Sequence, residues 1–298
     1  MLNRRAIQKL MPPIADFFSL GIVTKIKKAP ASANINFFIK TSRGHFFVKI
    51  NLEPHTLDNK LTEVKYLEHI INAGIPATPY LIGENGSPIL EIGQNMIMVQ
   101  NVIPGYNPSI TRARISEVAR YLGKLSLVPI NSLPYRYGWL SPEYVEKNLE
   151  KISGSSEARE ILASYHSCQK FVEIISPKLP YSIIHGDLHS ENVIFKNGHL
   201  AAIVDWEDST IAPSLFDFVS SVAYWCSKDG TINNKSYENF YSNYTRERPL
   251  TKLEINSLED CMAYVGVIQT MWRFLNCEGS PYDRLWGLKL RNWKAPRL

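Results

Sequence analysis

Along the first hundred positions, short runs of aromatic and branched residues are separated by turn formers. The segments NFFIK at 36–40, HFFVKI at 45–50 and NMIMVQ at 95–100 each predict a β-strand. Thr41, Ser42, Arg43 and Gly44 join the first two as a tight hairpin. Leu61, Val64, Leu67, Ile70 and Ile71 then recur at helical spacing and stop before Gly74, with Pro76 just beyond, which predicts a helix with an ordinary end. A further strand pair is expected around Pro88–Ile92, punctuated by Pro79, Gly83, Gly86 and Gly93. The chain leaves this region through Val102, Ile103, Pro104 and Gly105, the candidate hinge.

Beyond Gly105 the apolar period changes to about 3.6. Helices are expected over 116–127, 141–152, 157–175 and 252–277, with 153–156 as a connection. Two short apolar runs, 181–184 and 200–204, interrupt them and read as a small buried hairpin that presents polar residues at its ends. No internal repeat is present. With 298 residues, 45% hydrophobic and 20% charged, the chain has the composition of a globular protein rather than a disordered one. Its net charge of +5 is spread along the chain, which argues against nucleic acid as a partner and fits small anions. Neither a membrane-length apolar run nor a signal-peptide pattern is present, so the expected location is cytoplasmic with no membrane partner. Cys168, Cys226, Cys261 and Cys277 form no CxxC pair and read as buried free thiols.

The densest chemistry lies in His185-Gly186-Asp187-Leu188-His189-Ser190-Glu191-Asn192, followed after one strand by Asp205-Trp206-Glu207. Phosphoryl transfer needs a carboxylate to orient an attacking hydroxyl and oxygen ligands to hold Mg²⁺ against phosphates. Asp187 and Asn192 are five residues apart, the separation of base and metal ligand in the protein-kinase catalytic loop. A zinc site on His185 and His189 is disfavoured, because no Glu follows His185 and Gly186 breaks the helix such a pair needs.

These residues resemble the HGDxHxxN and Asp-aromatic-Glu signatures of the aminoglycoside phosphotransferase and choline kinase superfamily, small-molecule relatives of protein kinases. The resemblance covers nearly the whole chain and implies an α+β, protein-kinase-like two-lobed fold. A small N-terminal antiparallel β-sheet lobe with one helix (1–103) would bind nucleotide, and a larger, mainly α lobe (104–298) would carry catalysis and acceptor, with the hinge near 100–105. It further implies Asp187 as catalytic base, Asn192 and Asp205 as Mg²⁺ ligands, and Lys49 as the lysine on the phosphates of ATP. Glu63, placed by helical spacing near the inward face, is the expected partner of Lys49, with Glu68 and Glu53 as alternatives. Gln100, Asn101 and Val102 would pass the adenine, and Asp217 would support the active-site loop. The stretch equivalent to the phosphate-covering loop, 29–34, lacks glycine; Ser32 and small neighbours would supply its donors, and the choice between ATP and GTP stays open. P-loop and GxGxxG fingerprints are absent.

Trp225–Gly230, Arg248-Pro249-Leu250, Trp272-Arg273-Phe274-Leu275 and Asn34–Phe38 are similar in order and spacing to type II homoserine kinases. Acidic and basic residues balance from Glu207 onward, which suits a polycationic aminoglycoside poorly. A homoserine carboxylate would want an arginine, Arg273 or Arg248, and Glu207 and His189 are further candidate substrate contacts. The blander readings make Tyr224, Trp225, Trp272 and Phe274 core residues, His185 a structural hydrogen-bonder, and Arg273 the partner of a buried carboxylate such as Asp217. The expected activity is Mg²⁺-dependent transfer of the ATP γ-phosphate to a hydroxyl of a small metabolite by a monomer or homodimer. Homoserine or a similar amino alcohol is favoured over an aminoglycoside, choline, ethanolamine or a sugar. The rival of another class is a non-catalytic kinase-like nucleotide-binding protein, which would not need Lys49, Asp187, Asn192 and Asp205 together. Protein substrates are disfavoured, since no extended activation segment separates Asp205 from Asp217.

Overall fold

Branched and aromatic residues at alternating positions build one antiparallel sheet of five strands: β1 (Val23–Lys28), β2 (Ile35–Thr41), β3 (Gly44–Asn51), β4 (Leu90–Ile92) and β5 (Asn95–Asn101), in the order β1-β2-β3-β5-β4. The computed structural model describes residues 4–29, 34–51, 56–130, 133–136, 138–140, 142–152, 154–277 and 285–296. The expectations placed on Ser32 and Glu53 fall outside these residues. The chain divides into two compact units, Met1–Pro104 and Gly105–Leu298.

In the first unit the register puts Phe37 beside Val48, Ile39 beside Phe46 and Val48 beside Val99. Because strand side chains alternate, these residues share one sheet face, which is buried under Met11, Ile14, Ala15 and Phe18 of the N-terminal segment. Most of that segment is α1 (Arg4–Phe17), a helix the sequence reading did not anticipate, since Pro12 and Pro13 sit inside it. Its apolar face, covering the sheet, supplies what the missing backbone bonds do not. β1 was also unforeseen: lysines at 25, 27 and 28 mask it, and they suit a sheet edge. α2 (Leu57–Asn72) starts a turn before its apolar spacing, where the Thr56 side chain caps Asn59 N, and ends before Gly74 at φ +85°.

The second unit is mainly helical: α3 (Arg112–Leu125), α4 (Pro142–Leu149), α5 (Ser156–Lys170), α6 (Ser214–Cys226), α7 (Asn234–Glu247), α8 (Lys252–Asn256) and α9 (Leu258–Asn276). α3 packs on α7, and α6 and α9 pack together. α6 is buried on nearly every side, so it carries no polar stripe for a helical period to reveal. The expected single helix over 252–277 is two, broken at Ser257 after a Thr251–Glu254 capping box.

One strand pairing is corrected. The runs at 181–184 and 200–204 do not form a hairpin with each other: β6 (Tyr181–Ile184) pairs with β9 (Thr210–Pro213), and β7 (Val193–Lys196) pairs with β8 (His199–Ile203). The reason is local. Asn197-Gly198, both at positive φ (53° and 85°), make the two-residue turn that closes β7 on β8. Two loops therefore leave these strand pairs, 185–192 between β6 and β7 and 204–209 between β8 and β9, and they hold Asp187, Asn192 and Asp205. No helix among the described residues is long and apolar enough to cross a membrane.

Candidate active site

The 185–192 loop is tied down at four points. His185 N and Gly186 N donate to Asp217 Oδ2 (2.7 Å) and Oδ1 (3.0 Å), so a carboxylate in the first turn of α6 clamps the backbone that leads into Asp187. The His185 ring bridges both loops: Nδ1 accepts from Asp187 N at 3.2 Å and Nε2 meets Val204 O at 3.0 Å. Burial pushes its pKa down against the pull of Asp217, which agrees with a neutral ring donating at Nε2. Trp225 Nε1 donates to Leu188 O at 2.9 Å. Gly186 stands at φ +86°, and a Cβ there would lie 2.8 Å from Asp208 O, so the two loops approach too closely for any other residue. Both ring nitrogens of His185 are thus engaged in holding the loops, as the structural reading expects.

Asp187 is held by three donors. Tyr224 OH reaches Oδ1 at 3.0 Å; His189 Nε2 and Asn192 Nδ2 reach Oδ2 at 3.2 and 3.3 Å. Burial raises the Asp187 pKa, but the His189 bond and charge, then His185 and the Tyr224 hydroxyl, outweigh it and the net shift is downward. His189 moves the other way: burial lowers its pKa, and Asp187, Glu191 and Asp205 together raise it. Tyr224 is pushed well up by burial and by Asp187, so it stays a donor. A carboxylate has about four acceptor positions, and three are used. The one left suits a hydroxyl that is to be oriented.

Asn192 N–H donates to His189 O, and Asn192 O accepts from Val204 N at 2.9 Å, which ties the end of one loop to the residue before Asp205. The Nδ2 of Asn192 is spent on Asp187, and Oδ1 is the amide atom left to face a cation. Asp205 is held in the left-handed region (φ 64°, ψ 64°), a conformation a non-glycine residue keeps only where its surroundings impose it. Asp208 is pushed well above the usual carboxylate range by burial and then by the charges of Glu207, Asp187 and Asp205, against Arg136. Crowded carboxylates beside an amide oxygen form a hard-oxygen donor set that fits Mg²⁺. Among the described residues no three His, Cys, Asp or Glu side chains are grouped to hold a metal alone.

Next to Asp187 opens a pocket of about 400 Å³ lined by Trp139, Asp187, His189, Ser190, Glu191, Asp208, Tyr224, Gln269, Trp272 and Arg273. The Arg273 guanidinium lies 4.5 Å over the Trp286 ring, which stacks on Tyr224. Asp217 is occupied by the loop backbone, and Arg273 faces aromatic rings and the pocket. Gln269 is buried, and its Oε1 has no hydrogen-bond partner. Two expectations are corrected here. Arg248 is not in this pocket: its Nη1 pairs with buried Glu254 at 2.7 Å and meets Tyr244 OH at 3.3 Å, a structural ion pair. Glu207 does not line the pocket either; its carbonyl accepts from buried Arg136, and the chain turns its neighbour Asp208 inward instead. Trp139, Asp208 and Gln269 were missed by sequence reading, and the acidic residue beside Glu207 was the one available signal.

In the first unit, Lys49 on β3 is buried and pairs in register with Met98, on the sheet face away from the α1 core. Glu63 is fully buried on α2, where Lys60 Nζ meets Oε2 at 3.0 Å and Tyr80 OH donates to Oε1 at 2.5 Å. At the end of β5, Gln100 Nε2 donates to Thr78 O and Val102 N to His45 O, so these two donors are engaged within the unit.

A sheet unit followed by a mainly helical unit with Asp187, Asn192 and Asp205 on two strand-joining loops defines a kinase-like small-molecule phosphotransferase. The chain belongs to the phosphotransferase enzyme family (APH), whose model matches residues 26–250. It is 24% identical over 260 residues to homoserine kinase of Pseudomonas aeruginosa (strain PAO1 and others), covering 85% of this chain and 80% of that protein. Homoserine kinase of Polaromonas naphthalenivorans (strain CJ2) is 24% identical over 272 residues, covering 87% and 85%. Among solved structures, the amicoumacin kinase hAmiN, in complex with AMP-PNP and Ca²⁺, superposes with a TM-score of 0.75 at 14% identity, covering 96% of this chain and 93% of that one. A microcompartment-associated aminopropanol kinase gives a TM-score of 0.74 at 12% identity, covering 95% of each. The non-catalytic alternative is set aside: this protein is an enzyme, a phosphotransferase with kinase relatives.

Proposed function

We propose that the protein transfers the γ-phosphoryl group of ATP, with Mg²⁺, to the hydroxyl of a small amino alcohol that also carries a carboxylate, homoserine being the first candidate. The observation that carries this reading is Asp187, ionised and held by three donors at the edge of a pocket that offers an arginine, carboxylates and aromatic rings. Arg273 suits a carboxylate, and Glu191 with the Trp139 and Trp272 rings suits an ammonium group. The homoserine kinase relatives support the same choice.

Asp187 would take the acceptor hydroxyl on its remaining lone pair and aim the oxygen at the γ-phosphorus. The acceptor oxygen forms the new P–O bond, the bond to the leaving ADP oxygen breaks, and the hydroxyl proton passes to Asp187. A carboxylate with a lowered pKa is a weak base, which suits a loose transition state where alignment matters more than early proton removal. Asn192 and Asp205 would hold Mg²⁺, whose charge, when bound, offsets that of the phosphates. Lys49 would contact the phosphates, with Glu63 as its partner, and the adenine would meet groups of 100–105 other than the engaged Val102 N–H.

The test is Mg²⁺- and ATP-dependent phosphorylation across homoserine, aminopropanol, choline, ethanolamine, hexosamines and aminoglycosides, with Asp187→Asn as the blank. Turnover of homoserine that is lost in Asp187→Asn is the expected result. Turnover confined to choline or an aminoglycoside would overturn the acceptor class while leaving the catalytic loop intact.

A further inference from the structure

Two buried lysines serve the nucleotide unit, and only one of them belongs to the expected phosphate site. Lys60 is wholly buried and its ammonium sits 3.0 Å from Glu63 Oε2, also wholly buried. Lys60 is the fourth residue of α2, in the first turn, where the helix dipole disfavours a cation. It also precedes Glu63 by three residues, the less favourable order for such a pair on a helix. A fully buried lysine is rare and costs desolvation. Helix stability therefore does not account for it.

What Lys60 does accomplish is to hold Glu63. The ammonium fixes one carboxylate oxygen at 3.0 Å, and the Tyr80 hydroxyl, delivered by the segment that bridges β5 at Gln100, fixes the other at 2.5 Å. A carboxylate oxygen can accept from two donors at once, so a further cation can share Glu63 with Lys60 and Tyr80. From this geometry we infer that Lys60 and Tyr80 are positioning residues that set the orientation of Glu63 and act on nucleotide binding through it. The inference rests on the proposed role of Lys49 and Glu63 at the phosphates.

The experiment measures binding of AMP-PNP with Mg²⁺ to the full chain by calorimetry, beside thermal midpoints. Lys60→Met and Tyr80→Phe are each expected to weaken binding about three- to tenfold, the scale of one ordinary hydrogen bond transmitted through Glu63, and Lys60→Arg to restore most of it. In a Lys49→Met background, adding Lys60→Met should change the affinity little further, because both act through one carboxylate. A Lys60→Met protein with a lowered midpoint and unchanged affinity, or effects that add fully to those of Lys49→Met, would overturn the positioning role while the Lys49 reading stands. If Lys49→Met itself leaves affinity unchanged, that reading fails and this inference with it. Should Lys60→Met not fold, Tyr80→Phe and Lys60→Arg carry the same comparison.

Discussion

Tyr224 OH donates to Asp187 Oδ1 at 3.0 Å, and the same tyrosine ring stacks on Trp286, which lies under Arg273. One side chain of α6 thus links the Asp187 carboxylate to the aromatic shelf beneath the pocket arginine. Tyr224→Phe removes the bond and keeps the stack. The expected result is a drop of about tenfold in kcat with a smaller change in the KM of the acceptor, the scale of a lost hydrogen bond to a charged group. Steady-state kinetics with homoserine checks it, and an unchanged kcat would show that His189 and Asn192 suffice.

The two candidate arginines separate cleanly. Arg248→Ala leaves Glu254 buried without its cation, so a loss of about 3 kcal/mol of stability is expected, as when one partner of a buried pair is removed. Denaturant unfolding measures that loss, and the KM of the acceptor should stay as it was. Arg273→Ala should do the reverse, raising the KM for homoserine well beyond that for ATP with little change in stability. Equal rises in both KM values would remove the carboxylate role from Arg273.

Gly186→Ala forces a Cβ to 2.8 Å from Asp208 O at a φ of +86°. Left-handed strain alone costs about 1–2 kcal/mol, and the clash between the two loops adds to it. Activity should fall by more than the stability loss explains, since the shift falls on the residue next to Asp187. Comparing kcat per folded molecule with the unfolding midpoint distinguishes the two effects.

Chelation offers a fourth check. Excess EDTA should abolish turnover and added Mg²⁺ restore it, while the thermal midpoint of the nucleotide-free protein stays unchanged. The second half follows from the donor set, because no three acidic, His or Cys side chains among the described residues gather to hold an ion without phosphates. A large drop in midpoint on chelation would point to a structural metal instead.

The 185–192 cluster was readable along the chain because it is local: Asp187 and Asn192 share one loop, and Asp205 follows one hairpin later, not the single strand the sequence suggests. The strands at 36–40, 45–50 and 95–100 were readable for the same reason, since alternation is a short-range signal. The Asn197-Gly198 turn was equally local and was overlooked, which led to the wrong pairing for 181–184. Tertiary structure alone decided the rest. Which arginine faces a pocket and which pairs inside the core depends on α7, α8 and α9 meeting, and Arg248 and Arg273 look alike until Glu254 and Trp286 come to them. Asp208 replaces Glu207 in the pocket because Arg136, more than seventy residues earlier, holds the 207–209 backbone. Lys60 shows the same limit. It lies just before the apolar spacing that marks the helix, and only the packed unit puts its ammonium out of water and against Glu63, because burial is a property of the assembled chain and not of any one segment.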